Sequence, residues 1–449
     1  MSAPTAAQGI ANLRDDSLPP LHVPLRFFVT ATVFLVLVGT LWLWQGELVF
    51  VARWSPGMLA STHLLTLGFF TMIMFGALFQ VVPVLGGRPV PRPGLVATIT
   101  HLGLSGGTLL LSAGLWAMSP GRMQFALVLL GCALVVFVPT VAVCLLRRHA
   151  TALRPVRFAG LAFVVTIGLG VLMASAIAWP GLGIAFRAWT DLHAACGGLG
   201  WGMLLVIGVG YQVVPMFHVT PPFPNVATRW TVPAVVLGLV LLALPAPAPI
   251  FGTVAIAGFG LAHVAVTLSL LHRRRRRRPD ATVLAWQCGL VILGIALLLA
   301  LADAVLPATV RPSSRIGSFD LLLAVLFALG GLGTIVLGML TKIVPFLAFL
   351  HLQRRALPVL AATRELPPMA EFLGLASARA QVVLHLVTAA AIAATVLHPP
   401  LTAVAGALLI ADGALCASIL LRAASRYRRA ARAIDRILDT AKATSQITT

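Results

Sequence analysis

Five histidines stand inside long apolar stretches of this chain: His63, His101, His193, His263 and His385. His63 is typical, set in Ser61-Thr-His63-Leu-Leu-Thr-Leu-Gly-Phe-Phe-Thr-Met-Ile-Met-Phe. Neutral imidazole is the commonest protein ligand for transition metals and a standard axial ligand of haem. Histidines on facing helices can hold such a cofactor in the dry core of a bundle. For any one of them the bland alternative is an interhelical hydrogen bond, worth about 1 kcal/mol. Four of the five sit at related places in an internal repeat, which tips the reading towards a cofactor. His63 and His193, near the outer ends of their helices, are the expected metal ligands. His101 and His385, about two turns in from the inner face, and His263 are expected as inner cofactor ligands or proton-linked groups. Asp412, mid-helix, has to be neutral or paired, and a deep histidine is its natural partner. In the third repeat the polar residue nearest to the place of His63 and His193 is Asp320. No catalytic residue stands out, and the sequence leaves open whether the protein is an enzyme. His22, His149, His218, His272, His351 and His398 fall in loops or at span ends and read as interfacial.

The elements that position these groups follow from composition. The chain has 449 residues, is 59% hydrophobic and 10% charged, and its mean hydropathy is +1.00. Runs of about 20 apolar residues, each able to cross a hydrocarbon core as a helix, recur along it. We place twelve, near 25–46, 59–82, 94–117, 124–146, 158–179, 189–214, 231–248, 250–271, 282–304, 319–343, 379–397 and 400–421. With both termini on the cytoplasmic side, 27 of the 32 Lys and Arg lie inside. That asymmetry is the positive-inside signal of a multi-pass protein in a bacterial-type cytoplasmic membrane, N-in and C-in. Trp42, Trp44, Trp54, Trp116, Trp179, Trp189, Trp230 and Trp286 fall at helix ends, as an interfacial belt does.

The excess charge of +20 is therefore topology and gives no reason to expect nucleic-acid binding. The expected partner is the bilayer, with Arg273–Arg278 as a candidate contact for anionic lipid. Residues 1–24 form a polar cytoplasmic segment without the apolar core of a cleavable signal. The five cysteines are scattered, with no C-x-x-C, and suggest neither disulfides nor a zinc site. The segment Arg354–Arg379, the longest inner loop, reads as a solvated connector.

The repeat is G-x-x-x-[QK]-[VI]-V-P. It occurs as Gly76…Gln80-Val-Val-Pro83, Gly208…Gln212-Val-Val-Pro215 and Gly338…Lys342-Ile-Val-Pro345, at intervals of 132 and 130 residues. Each interval equals four spans with their loops. The expected fold is an all-α polytopic membrane protein of three pseudo-symmetric four-helix units, 25–150, 155–275 and 280–425. Together these form one transmembrane domain, 25–425, followed by a basic cytoplasmic tail, 426–449. All units run the same way, which implies rotation about the membrane normal and not an inverted repeat. The proline is expected to stop each helix, the Gln or Lys to cap its last carbonyls, and the glycine to permit close packing.

Twelve spans, three parallel units and a second-helix histidine resemble subunit I of the haem-copper oxidases. His63-Leu-Leu-Thr-Leu-Gly68 with Gly76 and Pro83, and Leu192-His193-Ala-Ala followed by Gly198, resemble helices 2 and 6 of the NnrS-like branch. The resemblance implies haem at His63 and haem or copper at His193. An oxidase also carries two histidines in helix 10, a pair in helix 7 and a helix-6 His–Tyr. Span 10 has Asp320 instead, span 7 has none, and Tyr211 sits at the wrong end of span 6. A complete oxygen-reducing centre is thus absent from the expectation. The expected function is a haem- or copper-binding membrane protein serving nitric-oxide response, metal handling or electron transfer. The alternative is a cofactor-free permease or assembly factor for a small solute or metal, with Asp412 on its path and Asp320, His193 and His63 at its mouth.

Overall fold

A computed structural model describes residues 19–86, 89–146, 153–183, 189–275 and 280–447. Their regular elements are helices, of which twelve are long and apolar enough to cross a membrane. We number these α1 (His22–Gln45), α2 (Pro56–His63, Leu64–Thr71 and Met72–Gly86 in one run), α3 (Pro93–Ala117), α4 (Pro120–Leu146), α5 (Arg154–Ala178) and α6 (Thr190–Ala195, Cys196–Met203, Leu204–His218). They continue with α7 (Asn225–Leu242), α8 (Ala248–His272), α9 (Ala281–Val305), α10 (Phe319–Val325, Leu326–Gly333, Thr334–Ala356), α11 (Leu375–Leu397) and α12 (Thr402–Ile447). An even number of crossings puts both ends of the bundle's chain on one side, the arginine-rich side. Neighbouring helices pack in sequence, and α12 closes the bundle against α1. Small residues allow that closure: a Cβ on Gly39 would meet the Gly406 carbonyl oxygen at 2.4 Å, the close approach on which helix pairs in lipid depend.

The second helix of each unit carries the same defect at the same register. In α2, α6 and α10 an eight-residue π-helical stretch interrupts the α-helix, at Leu64–Thr71, Cys196–Met203 and Leu326–Gly333. These stretches start 132 and 130 residues apart, the period of the sequence motif. Each contains a glycine at the same place, Gly68, Gly200 or Gly330, eight residues before the motif glycine. All six glycines face the first helix of their own unit. A Cβ would come within 2.2 Å of Phe34 at Gly68, 2.6 Å of Ala162 at Gly200 and 2.7 Å of Ile292 at Gly330. The motif glycines Gly76, Gly208 and Gly338 would meet Phe27, Pro155 and Ala285 at 2.8, 2.9 and 2.1 Å. Gly338→Val is therefore expected to lower stability by about 1–3 kcal/mol, the usual cost of overpacking. An unchanged thermal unfolding midpoint in detergent would contradict this contact.

The motif's proline and polar residue behave differently from expectation. Pro83, Pro215 and Pro345 lie inside helices that run on to Gly86, His218 and Ala356. A proline deletes one backbone bond, and a membrane helix tolerates this where its neighbours support it. Gln80 and Lys342 do not cap their own helices. Gln80 Nε2 donates to the Pro19 carbonyl at 3.1 Å, and Lys342 Nζ reaches Asp280 Oδ2 at 2.6 Å. Both partners precede the first helix of their unit, so the motif ties helix two to the entry of helix one.

Asp280 also accepts the Thr282 amide, at 2.9 Å, and the Thr282 hydroxyl, capping α9. Burial works against its carboxylate, but the bonds from Lys342 and Thr282 outweigh burial and hold the pKa below the usual value. A depressed folded-state pKa stabilises at pH above the unfolded value of about 3.9, and the contribution fades as acid titrates the group. Lys342→Met is expected to cost about 1–2 kcal/mol at neutral pH. Its deficit against the wild type should close as pH falls below about 4, measured by thermal unfolding across pH. A deficit independent of pH would show the pair to be unimportant.

Four boundaries shift by more than four residues, among them the end of α7, at Leu242 and not near 248. α7 starts at Asn225, not near 231, because Pro221-Pro-Phe-Pro224 supplies the break and Pro233 is carried inside the helix. α10 continues past 343 to Ala356. α12 continues to Ile447, so the segment read as a tail from 426 is helical that far. Ala431 and Ile434 pack there with Leu352, Ala356 and Phe372 in a second, smaller core. Trp42 and Trp286 leave the expected interfacial belt: they are 2% and 3% exposed, and their indole N–H groups bond Ser61 Oγ and Met339 Sδ.

Candidate functional site

α2, α6 and α10 form the interior of the bundle, and their π-helical stretches line one cavity of about 1100 Å³. π-helical turns widen a helix, free backbone carbonyls and gather at functional sites. The cavity wall is largely apolar, with Phe70, Phe163, Trp201 and Phe327 among its rings. Of the five intramembrane histidines, only His63 and His193 line it.

Their geometry suits ligation. His63 ends the first α-helical part of α2, and its Nδ1 bonds the Leu59 carbonyl one turn back at 2.8 Å. His193 stands on α6, and its Nδ1 bonds the Thr166 carbonyl of α5 at 3.0 Å. A carbonyl only accepts, so both Nδ1 atoms carry the proton. Each Nε2 then holds a free lone pair, the tautomer a backbone carbonyl selects in metal-ligating histidines. The two rings lie 6.4 Å apart between centroids, inclined by 28°. Imidazole–metal bonds are about 2.0 Å long, so that separation lets both rings reach one metal centre. Gly170 makes room, since a Cβ there would lie 3.1 Å from His193 Cε1.

The mouth of the cavity is held by a residue that sequence reading counted only for topology. Arg53 pairs with Asp191 at 2.9 Å and with Asp320 at 3.1 Å. It packs over the Trp54 ring at 4.6 Å. One guanidinium from the first unit thus joins the starts of α6 and α10. The signal lay in Asp191, two residues before His193, and in a basic residue on the side that has few.

The other histidines are engaged elsewhere. His101 Nε2 pairs with Thr30 Oγ1 of α1 at 2.9 Å, edge-on to Phe27. His385 bonds Asp412 Oδ2 through Nδ1 at 2.7 Å and the Leu329 carbonyl through Nε2 at 3.1 Å. His101 and His385 therefore face different helices, although their places in the chain look related. Both ring nitrogens of His385 are occupied, which leaves none for a metal. His263 Nε2 lies 3.3 Å from Thr267 Oγ1, between Phe223 and Tyr211, and its buried Nδ1 has no partner among the described residues. His218, read as interfacial, is 2% exposed with neither nitrogen bonded among the described residues. His149 and Arg276–Arg278 lie outside the described residues.

Asp412 and His385 are 0% and 1% exposed. Gln381, which sequence reading missed, donates to Asp412 Oδ1 at 2.5 Å. The Leu329 carbonyl belongs to the π-helical stretch of α10, so the pair α11–α12 is anchored to the same defect that shapes the cavity. Neither Asp412 nor His385 lines that cavity.

No group of three or more His, Cys, Asp or Glu side chains among the described residues could hold a bare ion. Two imidazoles in an apolar cavity therefore fit a group that brings its own ligands, as haem does, or a low-coordinate copper. Residues 25–346 match the family model described as NnrS protein. A comparison with curated proteins finds no match.

Proposed function

The chain belongs to the NnrS family, and from that premise we propose that His63 and His193 hold haem or copper in the central cavity of a membrane protein linked to nitric-oxide response. The observation that carries this reading is the pair of Nδ1-anchored imidazoles, on two residues that line one apolar cavity and whose Nε2 atoms have no partner among the described residues. The bound group would supply electron transfer. The chain's own residues do the rest. Leu59 and Thr166 hold the ligand tautomers. The aromatic wall excludes water. Arg53, with Asp191 and Asp320, sets a charged rim over the opening.

We place the arginine-rich end in the cytoplasm of a bacterial-type inner membrane, N-in and C-in, as the distribution of positive charge supports. The kinship with oxidase subunit I rests on the three parallel units and the helix-2 histidine, and oxygen reduction is not part of the proposal. The permease reading loses one of its motives, the unpaired acid, because Asp412 is paired with His385 away from the cavity, while His63, His193 and Asp320 do line one cavity.

The test is an oxidised and a reduced absorption spectrum of the detergent-purified protein, with metal analysis of the same sample. A Soret band or stoichiometric copper is expected. Neither haem nor copper would overturn the assignment.

A further inference from the structure

A second cavity, of about 610 Å³, lies at the arginine-rich end, where α11 begins and α12 leaves its apolar section. Its wall includes Arg422, Arg426 and Arg429 of α12. Their spacing of four and three residues stacks them on one helix face. Glu365 and Glu371 line it too. Yet among the described residues none of these arginines forms an ion pair with either carboxylate. Arg422 bonds only within its own helix, to the carbonyl oxygen and Oγ of Ser418, each at 3.2 Å. Arg426 donates to the Glu371 carbonyl oxygen, and Arg429 has no bonded partner among the described residues. Three guanidinium groups thus share one concave wall without a direct ion pair among the described residues, although acids are at hand. Gly374 and Ser377, at the start of α11, complete the wall. That helix start has no side-chain cap, so its free N–H groups add partial positive charge.

We propose that this cavity binds a phosphate oxyanion, presented at the level where α11 and α12 meet the membrane surface. Guanidinium forks match phosphate oxygens two at a time, and basic pockets beside transmembrane helices take anionic headgroups. The phosphate could come from the headgroup of an anionic phospholipid or from a soluble phosphate, and one experiment separates them.

The full-length protein is placed in nanodiscs of phosphatidylcholine with phosphatidylglycerol, and retained phosphatidylglycerol is counted by native mass spectrometry. In parallel, the detergent-purified protein is titrated with inorganic phosphate and its thermal stabilisation followed. Arg422→Gln/Arg426→Gln/Arg429→Gln is compared with Arg428→Gln/Arg432→Gln/Arg436→Gln, exposed positions of the same helix that do not line the cavity. Retention of phosphatidylglycerol that falls at least about tenfold only in the cavity variant supports the proposal and assigns the phosphate to lipid. Stabilisation by inorganic phosphate lost only in that variant supports it and assigns a soluble source. If the Gln variant does not fold, the triple Lys variant replaces it and should bind measurably more weakly, since the bidentate fork is gone. Binding equal to wild type in the cavity variants, or no binding of either probe, overturns it.

Discussion

His63→Ala is expected to abolish the haem or copper signature of the purified protein while leaving the twelve-helix fold in place, and His193→Ala is expected to do the same. The reason is the size of the ligand set. With two imidazoles facing the cavity, each is half of what the protein itself contributes. Loss of an outer-sphere partner of a metal ligand typically costs about 10–100-fold in affinity, so loss of a ligand should exceed about 100-fold. The fold should survive, because both rings touch the cavity and among the described residues bond only the carbonyls of Leu59 and Thr166. Removing them strands no buried charge. The measurement is the absorption spectrum and metal content of each variant beside its thermal unfolding curve. A variant that unfolds like the wild type and keeps full cofactor would show that the pair does not ligate. His101→Ala makes a useful comparison, since His101 does not line this cavity.

The second large effect concerns stability. His385→Leu should cost about 3–5 kcal/mol, the range for breaking one side of a buried ion pair. Ordinary hydrogen bonds between membrane helices average only about 0.6 kcal/mol, and that smaller figure would apply if Asp412 were a neutral group with other outlets. Instead Asp412 is 0% exposed, and among the described residues its side chain bonds only His385 and Gln381. With His385 present, the carboxyl has a partner at 2.7 Å. Without it, a carboxyl group remains in an apolar interior, and the Leu329 carbonyl loses the closer of its two side-chain donors as well. The double variant His385→Leu/Asp412→Leu should be more stable than His385→Leu alone, since it removes the stranded acid along with its partner. Thermal unfolding of the two single variants and the double variant in one detergent decides this. Strict additivity, or a cost for His385→Leu below about 1 kcal/mol, would show that the pair is incidental.

These two sites illustrate how far local sequence carries. Twelve spans were legible because crossing a bilayer demands only length and hydrophobicity, both properties of contiguous residues. The threefold repeat was legible because its period is written in Gln80-Val-Val-Pro, Gln212-Val-Val-Pro and Lys342-Ile-Val-Pro. Even Gly68, Gly200 and Gly330, which the motif left out, share that period and stood in plain view.

What the motif residues do was a different matter. Pro83 reads as a terminator, since proline removes a bond within its own helix, and only the neighbouring helices decide whether the helix goes on. Lys342 reads as a cap, and its true partner Asp280 stands 62 residues away. The same holds for the histidines. Five imidazoles look equivalent in a hydropathy pattern. Tertiary structure leaves His63 and His193 with free Nε2 atoms on a cavity, gives both nitrogens of His385 to Asp412 and Leu329, and turns His101 towards Thr30. By itself the sequence determined topology, repeat and the short list of intramembrane polar groups, because these depend on residue type and spacing along the chain. The π-helical stretches, the Arg53 clasp and the narrowing of five histidines to two candidate ligands were decided by tertiary structure, because the direction of a side chain's lone pair depends on which backbone carbonyl the packed helices bring beside it.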